Sequence, residues 1–124
     1  MDTSGEIQSQ LPLTEATYFI LLSLAPGASH GYAIMKDVRH LSHGRVSLST
    51  GTLYTALKRL LDSGWIQRTG DKPGENGRDE AAGAGRQRKE YSLTPTGRHI
   101  LQAEVQRLEG LVSAAQQRTL NRIP

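Results

Sequence analysis

From Thr14 onward, apolar positions recur at helical spacing. Ala16, Ile20, Leu21 and Leu24 share one face, Thr14 supplies an N-cap hydroxyl, and Pro26-Gly27 stops the run. A second helix is predicted with Ser29 as its cap, Ile34, Met35, Val38 and Leu41 as its stripe, and Gly44 just past its end. A short extended segment follows at Val46. Ser49 caps a third helix reaching about Ser63, with Leu53, Leu57, Leu60 and Leu61 buried and Gly64 as terminator. The period then changes to two. Trp65–Thr69 and 88–93 read as the two strands of a β-hairpin around a long loop, 70–85, which has five glycines and no aliphatic residue larger than Ala. Such a loop cannot offset its own ordering entropy, so a mobile tip is expected. Thr94-Pro95, a cap followed by proline at the first helical position, opens a last helix to about Thr119.

The predicted fold is mainly α with a small β-hairpin. Three helices and a two-stranded wing make a winged helix-turn-helix over residues 11–93, preceded by a flexible tail, 1–10, and followed by a long C-terminal helix within 94–124. The last helix carries Ile100, Leu101, Val105, Leu108, Leu111 and Val112 at helical spacing. No other long element remains to cover that stripe, so a second copy of the chain is the expected partner and the helix a dimerisation element.

Composition narrows the choice of function. The chain has 124 residues, enough for one domain and a modest core. With no cysteine, disulfides, thiolate metal sites and thiol redox chemistry are excluded. The net charge of +3 is compatible with nucleic acid and proves nothing by itself. No run approaches the roughly 18 apolar residues of a membrane span. The first ten residues carry two acidic groups and no basic side chain, the reverse of a secretory signal, so a cytoplasmic protein is expected. His40 and His43 have a three-residue spacing but no Cys or carboxylate ligand beside them, and His30 and His99 neighbour no nucleophile. No enzyme, cofactor or metal site is therefore expected.

The polar groups that remain suit DNA. Ser49, Thr50, Thr52, Tyr54 and Lys58 lie on the third helix, whose free N-terminal amides and dipole favour an anion. The first turn of such a helix is the part that enters a major groove. At the wing, Arg86, Arg88 and Lys89 place three cations within four residues, within reach of phosphates. A winged-helix module that binds protein instead is the alternative.

Four blocks carry a family resemblance: LPLTEATYFILLSL, HGYAIMKDV, GTLYTALKRLLDSGWI and RKEYSLTPTGRHIL. Over about Leu11 to Leu111 the chain resembles the PadR family of bacterial transcriptional regulators, in particular the smaller subfamily that dimerises through a single terminal helix. The resemblance implies a homodimeric repressor on a palindromic operator, with a small, apolar effector that relieves binding. It places Tyr32, Thr52, Tyr54 and Lys58 at the DNA, and Arg88 and Lys89 in the basic wing. The wing tip is longer and richer in glycine than the family pattern, and Glu90-Tyr91 stands where an aromatic pair is usual.

Overall fold

The computed structural model describes residues 3–69 and 89–118. The elements run α1 Thr3–Gln8, α2 Glu15–Ser23, β1 Ser29–His30, α3 Gly31–Leu41, α4 Thr50–Ser63, β2 Ile66–Thr69, β3 Glu90–Leu93 and α5 Pro95–Arg118. The family of elements expected from the pattern is present: three helices, a strand pair, and a long closing helix.

Two helix starts follow from side-chain chemistry. Thr14 Oγ1 accepts the Thr17 N–H at 3.1 Å and caps α2, and Ser49 Oγ accepts the Thr52 N–H at 3.1 Å and caps α4. Gly64 ends α4 at φ 79°, a left-handed conformation that glycine adopts without a Cβ penalty.

The core collects Ile20, Leu21 and Leu24 from α2 and its C-cap, Ile34 and Val38 from α3, and Leu53, Leu57 and Leu60 from α4. Ile66, Tyr91 and Leu93 from the sheet close it on one side, and Ile100 and Leu101 from α5 on another. Each such aliphatic side chain contributes about 1.5–3 kcal/mol on burial.

Several expectations are corrected. Ser29 does not cap the second helix. Ser29 and His30 form a third strand that pairs antiparallel with β3, giving the sheet order β1-β3-β2. His30 takes the cap position without a side-chain cap bond. The segment at Val46 forms no strand; its N–H donates to the buried Ser42 Oγ at 2.9 Å. At the end of α3, His43 takes the first left-handed position (φ 55°) ahead of Gly44. The Gly44 N–H donates to the Arg39 carbonyl at 2.8 Å, as in a helix-terminating turn of the Schellman type. Leu41 is exposed, not part of the stripe. The tail expected over 1–10 contains α1, which lies against α5 and packs Ile7 on the core.

The dimer stripe is also revised. Ile100 and Leu101 are filled by the chain's own core, and Val105 packs against it. Ile100 and Leu101 are therefore not free for a second copy, whereas Val105 is only half-buried. The stripe divides at residue 104. Leu108 is half-buried, and Leu111 and Val112 are 57% and 54% exposed. The 70–85 tip and the cations Arg86 and Arg88 lie outside the described residues.

Candidate nucleic-acid interface

α4 has two faces of opposite character. Leu53, Ala56, Leu57 and Leu60 are buried, whereas Thr50, Gly51, Thr52, Tyr54, Thr55, Lys58 and Arg59 are exposed. Burial of the first set fixes the rotation of the helix, so the polar set must face outward. The Ser49 hydroxyl accepts the Thr52 N–H and donates to Thr52 Oγ1 at 2.9 Å. Its donor is thus spent within the cap, and the Thr52 hydroxyl keeps its own donor for an incoming acceptor. Lys58 forms an exposed ion pair with Asp62, Nζ to Oδ2 at 3.3 Å. An i,i+4 pair at such exposure is worth little, so it does not withhold the ammonium from a phosphate.

The α3 side of the interface is built from the HGY block. A Cβ on Gly31 would run into the phenol of Tyr54, so glycine lets that ring lie across the first turn of α3. Tyr54 thereby reaches the residue next to Tyr32, which is 69% exposed. Lys36, one turn along α3, holds its Nζ 5.6 Å from the Tyr32 ring centroid in a cation–π contact. The structure therefore brings Tyr32, Lys36 and Tyr54 together beside the start of α4. Lys36 was not singled out from the sequence; its i+4 spacing from Tyr32 was the available signal.

Neighbouring charges are partly engaged. Arg45 Nη2 donates to both Glu15 carboxylate oxygens at 2.9 and 2.7 Å, tying the loop before α4 to the first turn of α2. Arg59 Nη2 donates to Thr17 Oγ1 at 3.2 Å across the same seam. A groove of about 740 Å³ runs along it, lined by Thr14, Thr17, Gly51, Thr52, Thr55 and Arg59 among others.

At the wing base, Lys89 immediately precedes β3. His30 Nε2 lies 3.7 Å from Glu90 Oε2 across the β1–β3 pair, and its Nδ1 is buried with no hydrogen-bond partner among the described residues. His40 and His43 are both exposed at the end of α3. Among the described residues, no group of three or more His, Asp or Glu side chains is placed to hold a metal ion. No helix among them is long and apolar enough to cross a membrane.

The YSLTPTG block joins the wing to α5. Tyr91 and Leu93 point into the core. The Thr94 N–H donates to the Trp65 carbonyl at 3.0 Å, and its hydroxyl donates to the Gly64 carbonyl at 2.6 Å. Thr94 Oγ1 also accepts the Gly97 N–H at 3.0 Å, capping α5. Gly97 is required because a Cβ there would occupy the Trp65 carbonyl oxygen.

Further along α5, Glu104 is buried at 2% exposure. Its carboxylate accepts Arg107 Nε at 2.7 Å, Arg107 Nη2 at 3.0 Å and the Leu13 N–H at 3.0 Å. The Arg107 hydrogen bonds hold this carboxyl below the usual carboxylate range; burial opposes them, and the Leu13 N–H and the guanidinium charge add to the lowering. The sequence signal was a lone carboxylate within an apolar stripe, three residues before an arginine.

A sequence model of the transcriptional regulator PadR-like family matches residues 20–103. A solved PadR family transcription regulator from Clostridium difficile is 28% identical, with a TM-score of 0.64, covering 84% of this chain and 97% of that one. Bacillus subtilis PadR, solved in complex with operator DNA, is 25% identical with a TM-score of 0.58, covering 77% of this chain and 48% of that one. An uncharacterized 37.1 kDa protein in a Streptomyces fradiae transposon is 36% identical over 101 residues. That alignment takes in 79% of this chain, which spans about a quarter of the length of that relative. The family match covers most of the chain, including the blocks that build the α3–α4 face and the wing-to-α5 junction: the chain belongs to the PadR-like family of transcriptional regulators.

Proposed function

We propose that the protein is a sequence-specific DNA-binding repressor that acts as a homodimer on an inverted repeat. One observation carries the reading: α4 buries Leu53, Ala56, Leu57 and Leu60 and presents hydroxyls, Tyr54 and Lys58 outward, with Tyr54 beside the Tyr32–Lys36 face of α3. In this reading the first turn of α4 enters the major groove, and its cap and Tyr32 meet the backbone. Lys58, Lys89, Arg86 and Arg88 then neutralise phosphates. Family membership and the operator complex of the Bacillus subtilis relative support this reading.

Dimerisation is assigned to the outer half of α5. Leu111 and Val112 are large, apolar and more than half exposed, and a groove of about 400 Å³ beside them is lined by Tyr18, Val105 and Leu108. The same groove is the natural place for a small apolar effector to bias the dimer. A two-fold axis along this helix gives two α4 helices and hence half-sites about one helical turn, or a multiple of it, apart.

The test is duplex binding against salt. Affinity is expected to fall with a slope of about −0.9 per phosphate contact. Tyr54→Ala and Lys58→Ala are each expected to weaken binding, Lys58→Ala nearly equally on all sequences. Wild-type affinity in both variants on a mapped site would remove α4 as the reader. A salt-independent interaction would favour a protein-binding module.

A further inference from the structure

α5 is two helices in one. Up to residue 104 its inner face is part of the head, with Gly97, Ile100, Leu101 and Glu104 buried; after 104 every described residue is half-buried or exposed. Glu104 is therefore the point where the helix leaves the head. A leucine there would continue the apolar stripe without desolvating a charge. The carboxylate instead accepts three hydrogen bonds, two from Arg107 on α5 and one from the Leu13 N–H, the residue before the Thr14 cap of α2. If the helix tilts and these bonds break, an uncompensated buried charge is left, a cost that an apolar contact at this position would not carry.

The lever beyond this point is long. The fourteen residues from Val105 to Arg118 extend about 21 Å at 1.5 Å each, so a tilt of about 10° at Glu104 moves the far end about 4 Å. That is close to the roughly 3.4 Å rise of one base pair. We propose that Glu104 is a positioning residue: by clamping the exit of α5 to the start of α2, it fixes the angle between head and dimer helix and so sets which half-site spacing the dimer accepts. The inference rests on the dimeric operator reading above.

The test uses the full chain. Wild-type protein selects duplexes from a randomised library, and the inverted repeat recovered is rebuilt with one base pair inserted or removed between its halves. Wild type is expected to bind these respaced duplexes about tenfold more weakly than the selected one, a usual size for coupling between sites. Glu104→Gln turns one acceptor into a donor facing Leu13 or Arg107, and is expected to shrink the penalty to about threefold or less. A merely stabilising role would lower the melting temperature and overall affinity but leave the ratio between spacings unmoved. An unchanged ratio in the folded variant overturns the proposal, as does a wild type that binds all spacings equally. Arg107→Gln, at a half-buried position and sparing the Leu13 bond, decides the matter if Glu104→Gln does not fold: a reduced penalty supports the clamp and an unchanged one overturns it. Failure of the wild type to select any inverted repeat defeats the operator reading itself, and the clamp's role falls with it.

Discussion

Replacing Gly97 by alanine tests how tightly α5 is seated on the wing. In an isolated helix the change would be favourable by about 1 kcal/mol, because glycine is the poorer helix former. Here the added Cβ falls on the Trp65 carbonyl oxygen, a backbone atom that cannot rotate away. The first turn of α5 must lift, at the cost of about 1–3 kcal/mol usual for overpacking. Lifting also stretches the Thr94 N–H bond to the same carbonyl and the Thr94 hydroxyl bond to Gly64, each worth about 1 kcal/mol. The net expectation is destabilisation by about 1–3 kcal/mol, or on the order of 1 M in urea midpoint for a domain of this size. Trp65 is the single tryptophan and lies at the contact itself, so its fluorescence reports the transition directly. Gly110, in the same helix with nothing within 4 Å of a Cβ, is the internal control: alanine there should stabilise by about 0.5–1 kcal/mol. Both variants must be compared at one protein concentration, since the proposed dimerisation would shift apparent stability. A Gly97→Ala midpoint at or above the wild-type value would refute the close approach of α5 to Trp65.

Leu111→Asp and Val112→Asp should each weaken the dimer by at least about a hundredfold, yet leave the thermal stability of the head intact; light scattering across a concentration series checks the first and circular dichroism the second. Glu104 has a folded-state carboxyl below its unfolded value, so its contribution is present above about pH 4.3 and is lost as pH falls through the folded value. The stability gap between wild type and Glu104→Gln, followed by urea unfolding at descending pH, should narrow across that window; a gap of constant size would count against the ion pair. Arg86→Ala with Arg88→Ala should flatten the salt slope of duplex binding by up to about two contacts per subunit, with operator preference changed less.

Helix positions were legible because caps and stripes agreed. Thr14, Ser49 and Thr94 each carry an oxygen that accepts the N–H three residues on, and the apolar period of each following segment points the same way. What was not legible depended on partners remote in sequence. Ser29 has the chemistry of a cap, but an edge of β3 is available 62 residues later, and strand pairing wins there. The α5 stripe looked continuous because hydrophobic spacing does not say which partner covers it. Intrachain packing takes Ile100 and Leu101, and only the outer half remains exposed.

The interface shows the same division at the level of single residues. Ser49 with Thr52, and Tyr54 with Lys58, were readable as neighbouring pairs on the polar side of a capped helix, because helical geometry places residues three and four apart together. The HGY block was readable only as a resemblance, and its physical content appears in the fold: Gly31 leaves room for Tyr54, so the two blocks interlock and α3 sets the orientation of α4's ring. If that face meets DNA as proposed, a change at Gly31 acts on the interface through Tyr54 without itself touching DNA. In the proposed DNA-binding reading the glycine positions Tyr54, and Tyr32 and Lys36, exposed one turn apart on the same face of α3, are left to make the contact.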